Sequence, residues 1–172
     1  MSLHIGIGLY EQRDGRHRSI SPHWAIVVHD QSSRKSWRDP THWAVYQIVR
    51  TRPSYTWARS HQLSTQPYKT PDAKPFIGIV YAGEIVGVRR EEFDHFIAQL
   101  PDGQDARDRS GLCVWSSEGW VIRVLSLLQE AGKVQLPCSP EELYTYMKGR
   151  IAALRSIPPS KQQPFPVVSL IG

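Results

Sequence analysis

The most constraining feature of the sequence is a change of hydrophobic period near residue 90. Before it, apolar, aromatic and β-branched residues come in short runs bounded by polar, turn-like segments, which predicts strands. After it, apolar residues recur every three or four positions, which predicts amphipathic helices. Strands followed by helices indicate the α+β class, with an antiparallel sheet packed against helices, rather than alternating βαβ units.

Four runs define the predicted sheet most clearly. Leu3–Tyr10 is a first strand, whose glycines indicate an edge position or a close neighbour. His23–His29 is apolar on both faces, as expected in the middle of a covered sheet. Trp43–Arg50 is its predicted hairpin partner, and Phe76–Tyr81, continuing towards Val88, is a later strand. A weaker run over residues 55–63 is interpreted as one more strand.

Three helices follow. Arg90–Leu100 places four apolar side chains at helical spacing, and Ser117–Ala131 carries an apolar stripe followed by Gly132 in the position of a C-terminal cap. A third helix begins at Ser139 as the cap, with proline and two acids in its first turn, and is expected to run to about Leu154.

Length and composition indicate one globular domain over residues 1–157, since 172 residues suffice for one core but not comfortably for two. Residues 158–172 form a Pro-rich C-terminal extension, of which 158–166 are expected to lie extended on the surface. No apolar run is long enough for a transmembrane helix, and the N-terminus lacks the pattern of a signal peptide. Two cysteines do not make a disulfide framework, so a cytoplasmic protein is expected.

Charge and histidine spacing argue against two classes of partner, nucleic acids and metal ions. The net charge of +5 is scattered along the chain without a basic run, so nucleic-acid binding is not favoured. His23 and His29 share a strand face but lie about 20 Å apart at roughly 3.3 Å per residue, so they cannot chelate one ion. No helical His pair or C-x-x-C pair is present, and we expect neither a metal nor a cofactor.

Two places in the sequence could carry chemistry. His23 begins a buried strand, where a rigid imidazole is suited to proton transfer, although a lone histidine is more commonly structural. Cys113 and Ser117 lie near a helix N-terminus, where the dipole and free N–H groups favour a thiolate or an oxyanion. Taken alone, Ser116 or Ser117 is equally well explained as an N-cap, and Cys113 as a small buried hydrophobe.

The order of these segments along the chain resembles that of a known group of proteins. A strand opening Pro22-His23-Trp24-Ala25, a second strand with Tyr46-Gln47, and a late helix starting at Ser117 resemble short fungal proteins of unassigned activity. Those proteins are in turn similar to circularly permuted papain-like domains such as the lecithin:retinol acyltransferase-like proteins. The resemblance covers roughly residues 3–135 and implies a His strand that precedes a nucleophile helix.

Carried over by position, the resemblance assigns roles to individual residues. His23 matches the general base, and Gln47 matches the polar residue that orients the imidazole, where a second histidine is more usual. The family has cysteine three residues before a tryptophan, and anchoring on Trp120 places Ser117 there. Ser117 is then a serine nucleophile, a Cys-to-Ser change made to trap or silence an enzyme, or the mark of an inactive site. Cys113 is the alternative nucleophile if the helix begins one turn earlier.

These residues predict a papain-like hydrolase or acyl-transfer domain that acts on a small molecule. The alternative is a catalytically silent or non-covalent small-molecule-binding domain, as in natural-product biosynthesis, that uses the same cleft. Most of the six tryptophans are expected in the core, and a few could line an apolar pocket. The expected ligand is therefore apolar.

Overall fold

The structure, a computed structural model, describes residues 3–12, 21–30, 43–50, 57–64, 75–101, 116–158 and 165–171. Its strands are β1 (Leu3–Tyr10), β2 (His23–His29), β3 (Trp43–Arg50), β4 (Trp57–Ser64), β5 (Phe76–Ile85) and β6 (Val167–Ser169). Its helices are α1 (Arg90–Gln99), α2 (Ser117–Glu130) and α3 (Pro140–Ser156).

The six strands form one sheet in the order β4-β3-β2-β1-β5-β6. The first five strands pair antiparallel with their neighbours, including the predicted β2–β3 hairpin. β6 pairs with β5 in parallel, so the sheet is mixed rather than purely antiparallel. The predicted α+β class is confirmed, and the parallel strand corrects the expected sheet type.

The glycines of β1 mark a close neighbour rather than an edge, because β1 lies between β2 and β5. A methyl group built on Gly8 would lie 2.8 Å from Val27 Cγ2, which is closer than side-chain carbons approach each other. Glycine at this position therefore lets Val27 of β2 lie against the backbone of β1.

The core lies between the sheet and the three helices. Ile5, Ile26 and Ile48 of the sheet and Val124 of α2 are fully buried in one cluster, which also takes in α1 and α3. The opposite face of the sheet carries a smaller cluster that includes Val27, Trp43 and Phe165. Both faces of β2 are thus buried, in agreement with its continuous apolar sequence.

The C-terminal segment is part of this sheet. Phe165 and Leu170 are buried, and the N–H of Leu170 donates to Tyr81 O at 2.7 Å. The N–H of Ile79 donates to Pro166 O at 3.0 Å, which fixes the start of β6 against β5. The expectation of a surface segment up to residue 166 is wrong at Phe165 and Pro166, because apolar contacts with the sheet outweigh their proline-rich context.

Helix ends follow the sequence signals closely. Gly132 has φ +65°, and the N–H groups of Gly132 and Lys133 donate to Gln129 O and Leu128 O, which is a Schellman C-cap for α2. Pro140 opens α3 after Ser139, whose backbone N–H donates to Glu142 at 3.1 Å. In the part of the chain that the structure describes, no helix has the length and apolar character needed to cross a bilayer.

Candidate functional site

The candidate site lies where the start of α2 meets the start of β2. Ser117 is the first residue of α2, and its Oγ accepts a hydrogen bond from the backbone N–H of Trp24 at 3.3 Å. Trp24 directly follows His23, the first residue of β2. The contact therefore joins two residues 93 positions apart and brings Ser117 next to the histidine strand.

His23 and Gln47 form the predicted pair. Gln47 Oε1 lies 2.8 Å from His23 Nε2, so the carboxamide oxygen accepts the Nε2 proton. In the neutral imidazole, a proton on Nε2 places the basic lone pair on Nδ1. Gln47 thus fixes one tautomer and one ring orientation, as an orienting residue does.

The N-cap of α2 is Ser116 rather than Ser117. Ser116 Oγ accepts the N–H of Gly119 at 3.1 Å, which satisfies one of the free donors of the first turn. The sequence left open which of the two serines is the N-cap. Ser116 has that structural role, and the hydroxyl of Ser117 is available for the contact with β2.

Glu118 is a site residue that sequence reasoning missed. Its carboxylate accepts the hydroxyl of Ser117 at 3.1 Å and the hydroxyl of Ser21 at 3.0 Å. Glu118 therefore links the segment before β2 to the helix that carries Ser117. The available sequence signal was its place in the first turn of a helix, where an acid is favoured by the helix dipole, but that signal is also common at ordinary helix starts.

The histidine and the serine of the candidate site are almost fully covered. His23 retains 5% and Ser117 4% of their accessible surface. A hydrogen bond or ionic contact in such surroundings is stronger than in water, and a charge formed there needs a partner. The site is thus suited to a compact reactant and to chemistry away from bulk water.

A cavity of about 300 Å³ adjoins Gln47. Gln47 belongs both to the cavity wall and to the histidine pair, and Trp120 of the wall lies one helical turn after Ser117. The full lining is Tyr46, Gln47, Arg59, Asp94, Ile97, Ala98 and Trp120. The cavity therefore lies among β3, β4, α1 and α2.

Polar groups of the cavity wall form hydrogen bonds with one another. The phenol of Tyr46 donates to the Asp94 carboxylate, and Arg59 Nη1 donates to the carbonyls of Ile97 and Ala98 at the end of α1. Burial, reinforced by the bond to Asp94, raises the pKa of Tyr46 above its ordinary value. Tyr46 is thus a neutral hydroxyl, and Arg59 bridges β4 and α1 at one side of the cavity.

Of the four predicted site residues, His23 and Gln47 are hydrogen-bonded to each other, and Ser117 contacts the backbone of Trp24, the residue after His23. Cys113 lies outside the described residues. Among those residues, no group of three or more His, Cys, Asp or Glu side chains is placed to hold a metal ion. Trp24, Trp43 and Trp120 are buried, as expected for core tryptophans, and Trp120 also lines the cavity.

Comparison of the chain with models of protein families, with curated proteins and with solved structures finds no match.

Proposed function

We propose that this chain is a permuted papain-like domain that hydrolyses or transfers a small acyl group, with Ser117 as nucleophile, His23 as general base and Gln47 as orienting residue. The single observation that carries the proposal is the contact of Ser117 with the start of β2, the strand that begins with His23. Ser117 Oγ contacts the N–H of the residue next to His23, and His23 is bonded to Gln47 at 2.8 Å.

The proposed reaction has two steps. Ser117 Oγ attacks the carbonyl carbon of an ester, thioester or amide while its proton passes to Nδ1 of His23. The tetrahedral intermediate collapses to an acyl-serine, and the leaving group takes the proton from His23. Water or an acceptor alcohol or amine then attacks the acyl-serine through the same base and releases Ser117. Backbone N–H groups of the first turn of α2 and the N–H of Trp24 are the donors for the oxyanion.

The hydrogen bonds of Ser117 favour a second candidate, non-covalent small-molecule binding. In the structure the Ser117 hydroxyl donates to Glu118 and accepts from Trp24, so the residue also ties α2 to β2 in a structural manner. Serine is a weaker nucleophile than a cysteine thiolate, which further favours this candidate. It predicts a cavity that binds ligand without any covalent adduct.

Covalent labelling separates the two candidates. The protein is treated with diisopropyl fluorophosphate, and the adduct is located by intact mass and peptide mapping. We expect one adduct on Ser117, formed about 10²–10⁴ times more slowly in His23→Ala because the general base is lost. An adduct on Cys113, or none on Ser117, contradicts the role of Ser117.

A cysteine replacement provides the matched measurement. In Ser117→Cys the introduced thiol lies at a helix N-terminus beside His23, so we expect fast alkylation by iodoacetamide near neutral pH. Cys138 is an internal control, because burial and the nearby Glu142 raise the pKa of its thiol. If the thiol at position 117 reacts no faster than Cys138, and its rate does not change in His23→Ala, the result supports non-covalent binding over acyl transfer.

A further inference from the structure

We infer that the outer edge of β6 is an interface, where β6 pairs antiparallel with β6 of a second copy of this chain across a two-fold axis. The six-stranded sheets of the two copies then join into one continuous sheet. This inference goes beyond the proposed function and does not depend on it, because the interface lies on β6 and the proposed site on β2, β3 and α2.

The hydrogen bonds of β6 show which of its main-chain groups face outwards. Pro166 O accepts an N–H of β5 at 3.0 Å, and the N–H of Leu170 donates to a carbonyl of β5 at 2.7 Å. Successive residues of a strand direct their N–H and C=O groups to alternate sides, so those of Val167 and Ser169 point away from β5. In the part of the chain that the structure describes, β6 is the last strand on this side, and these outward groups have no hydrogen-bond partner.

The outward groups are complementary to their own copies. With a two-fold axis at Val168, the N–H of Val167 donates to O of the partner's Ser169, and the N–H of Ser169 donates to O of the partner's Val167. By symmetry the partner donates the same two bonds, so every outward group of Val167 and Ser169 is used. Val168 then faces the partner's Val168 as a non-hydrogen-bonded pair. This self-complementarity is the reason that we assign the edge to a second copy rather than to a strand of another protein.

The helix above β6 presents a suitable flank to the same interface. α3 packs across β5 and β6, and its Tyr144 stacks on Trp24 of β2 with ring centres 6.0 Å apart, so that flank faces the middle of the sheet. Tyr146 lies about 200° further around the helix, on the opposite flank, which faces beyond β6. Tyr146 keeps 37% of its accessible surface. Arg150 lies over its ring at 5.3 Å, and both residue types are enriched at protein interfaces.

The spacings of strands and helices fit this arrangement. Neighbouring strands are about 4.8 Å apart, so two helices that each lie over β5 and β6 of their own copy are about 10 Å apart. A continuous sheet keeps both α3 helices on one face, and packed helices are about 8–10 Å apart. Tyr146 of each copy therefore lies against the partner's α3. The interface consists of one short strand and one helix flank, so the dimer is weak.

Sedimentation velocity of the full chain from about 5 to about 500 μM tests for the dimer. We expect monomer at the lowest concentration and a rising share of dimer at the highest. Ser169→Pro removes an outward N–H and leaves the bonds to β5, and circular dichroism checks that it is folded. Its dimer should be at least about tenfold weaker, whereas the matched control Ser169→Ala keeps the N–H and should dimerise normally. A monomer at every concentration overturns the inference and leaves the edge to another protein. A dimer that persists unchanged in folded Ser169→Pro overturns it as well.

Disulfide formation tests the register without a proline. Val168→Cys and Ser169→Cys are each made in a Cys113→Ser, Cys138→Ser background and oxidised with glutathione disulfide. In the two-fold register the Cα atoms of the two copies of residue 168 are about 4.5 Å apart, within the range of a disulfide. Those of residue 169 are diagonal neighbours about 7–8 Å apart, too far for an unstrained disulfide.

We expect disulfide-linked dimer to form at least about tenfold faster in Val168→Cys than in Ser169→Cys, since pairing raises the effective concentration of the thiols at residue 168. Random collision predicts the reverse order, because Ser169 is exposed and Val168 is half-buried. Equal rates, or faster linkage in Ser169→Cys, overturn the two-fold pairing of β6.

Discussion

At the scale of single residues, the hydrogen bonds of the Ser117 hydroxyl matter most for the proposed reaction. Its hydrogen is donated to Glu118, and its oxygen accepts the N–H of Trp24. Proton transfer from Ser117 to His23 requires the hydroxyl to break its hydrogen bond to the Glu118 carboxylate. A hydrogen bond to a charged acceptor is roughly twice as strong as one to a neutral acceptor, so Glu118 holds Ser117 in a resting arrangement.

Glu118→Gln tests this restraint. The neutral amide accepts a weaker hydrogen bond, and a difference of about 1.4 kcal/mol corresponds to tenfold in rate. We therefore expect Ser117 to be labelled by diisopropyl fluorophosphate about tenfold faster in Glu118→Gln than in the unmodified protein. Ser21→Ala is the control, because it removes the other hydroxyl from the same carboxylate and leaves the Ser117 bond in place. Slower labelling would mean that the carboxylate assists the reaction.

At the scale of elements, local sequence signals define both ends of α2. Ser116 caps its start, and Gly132 ends it in the left-handed region with φ +65°. The start of α2 places Ser117 against β2, while the end lets the chain turn towards α3. The position of the candidate nucleophile thus depends on where the cap forms, one residue before Ser117.

Two glycines provide a matched test of the α2 C-cap. A Cβ built on Gly132 or Gly149 meets no atom within 4 Å, so crowding does not distinguish the two sites. Gly132→Ala forces alanine into the left-handed region and should lower the free energy of unfolding by about 1–2 kcal/mol. Gly149 lies inside α3, and Gly149→Ala should raise it by about 0.5–1 kcal/mol. Urea unfolding measures both, and equal signs for the two variants would contradict the cap.

At the scale of the whole molecule, the C-terminal segment adds an edge strand to the sheet, and the candidate site lies on other strands. β6 pairs with β5, whereas His23 and Gln47 belong to β2 and β3. Gly78 of β5 allows this pairing, because a Cβ there would lie 2.5 Å from Pro166 O. The segment therefore contributes to the stability of the sheet.

Adjacent residues at the C-terminus test that contribution. Leu170 is fully buried in the main core, while Ile171 keeps 56% of its accessible surface. Leu170→Ala should lower the free energy of unfolding by about 2–5 kcal/mol, and Ile171→Ala should change it by less than about 0.5 kcal/mol. Folded Leu170→Ala should label Ser117 at the unmodified rate. Similar losses of stability in both variants would contradict the burial of Leu170 in the core.

The sequence by itself determined the elements and their class. Hydrophobic period fixed β1, β2, β3 and the helices to within a few residues, and cap residues such as Gly132 fixed helix ends, because these signals act between neighbours in the chain. The pair His23–Gln47 was predicted from the resemblance, and the structure places the two side chains in contact.

Only the tertiary structure decided the contacts between distant segments. β6 is three residues long. Its pairing with β5 depends on the absence of a side chain at Gly78, where Pro166 approaches closely, and no local pattern indicates this. The bond of Glu118 to Ser21 spans 97 residues, and the cavity is formed by side chains of β3, β4, α1 and α2. Such contacts depend on how faces pack, and packing is a property of the assembled core rather than of any one segment.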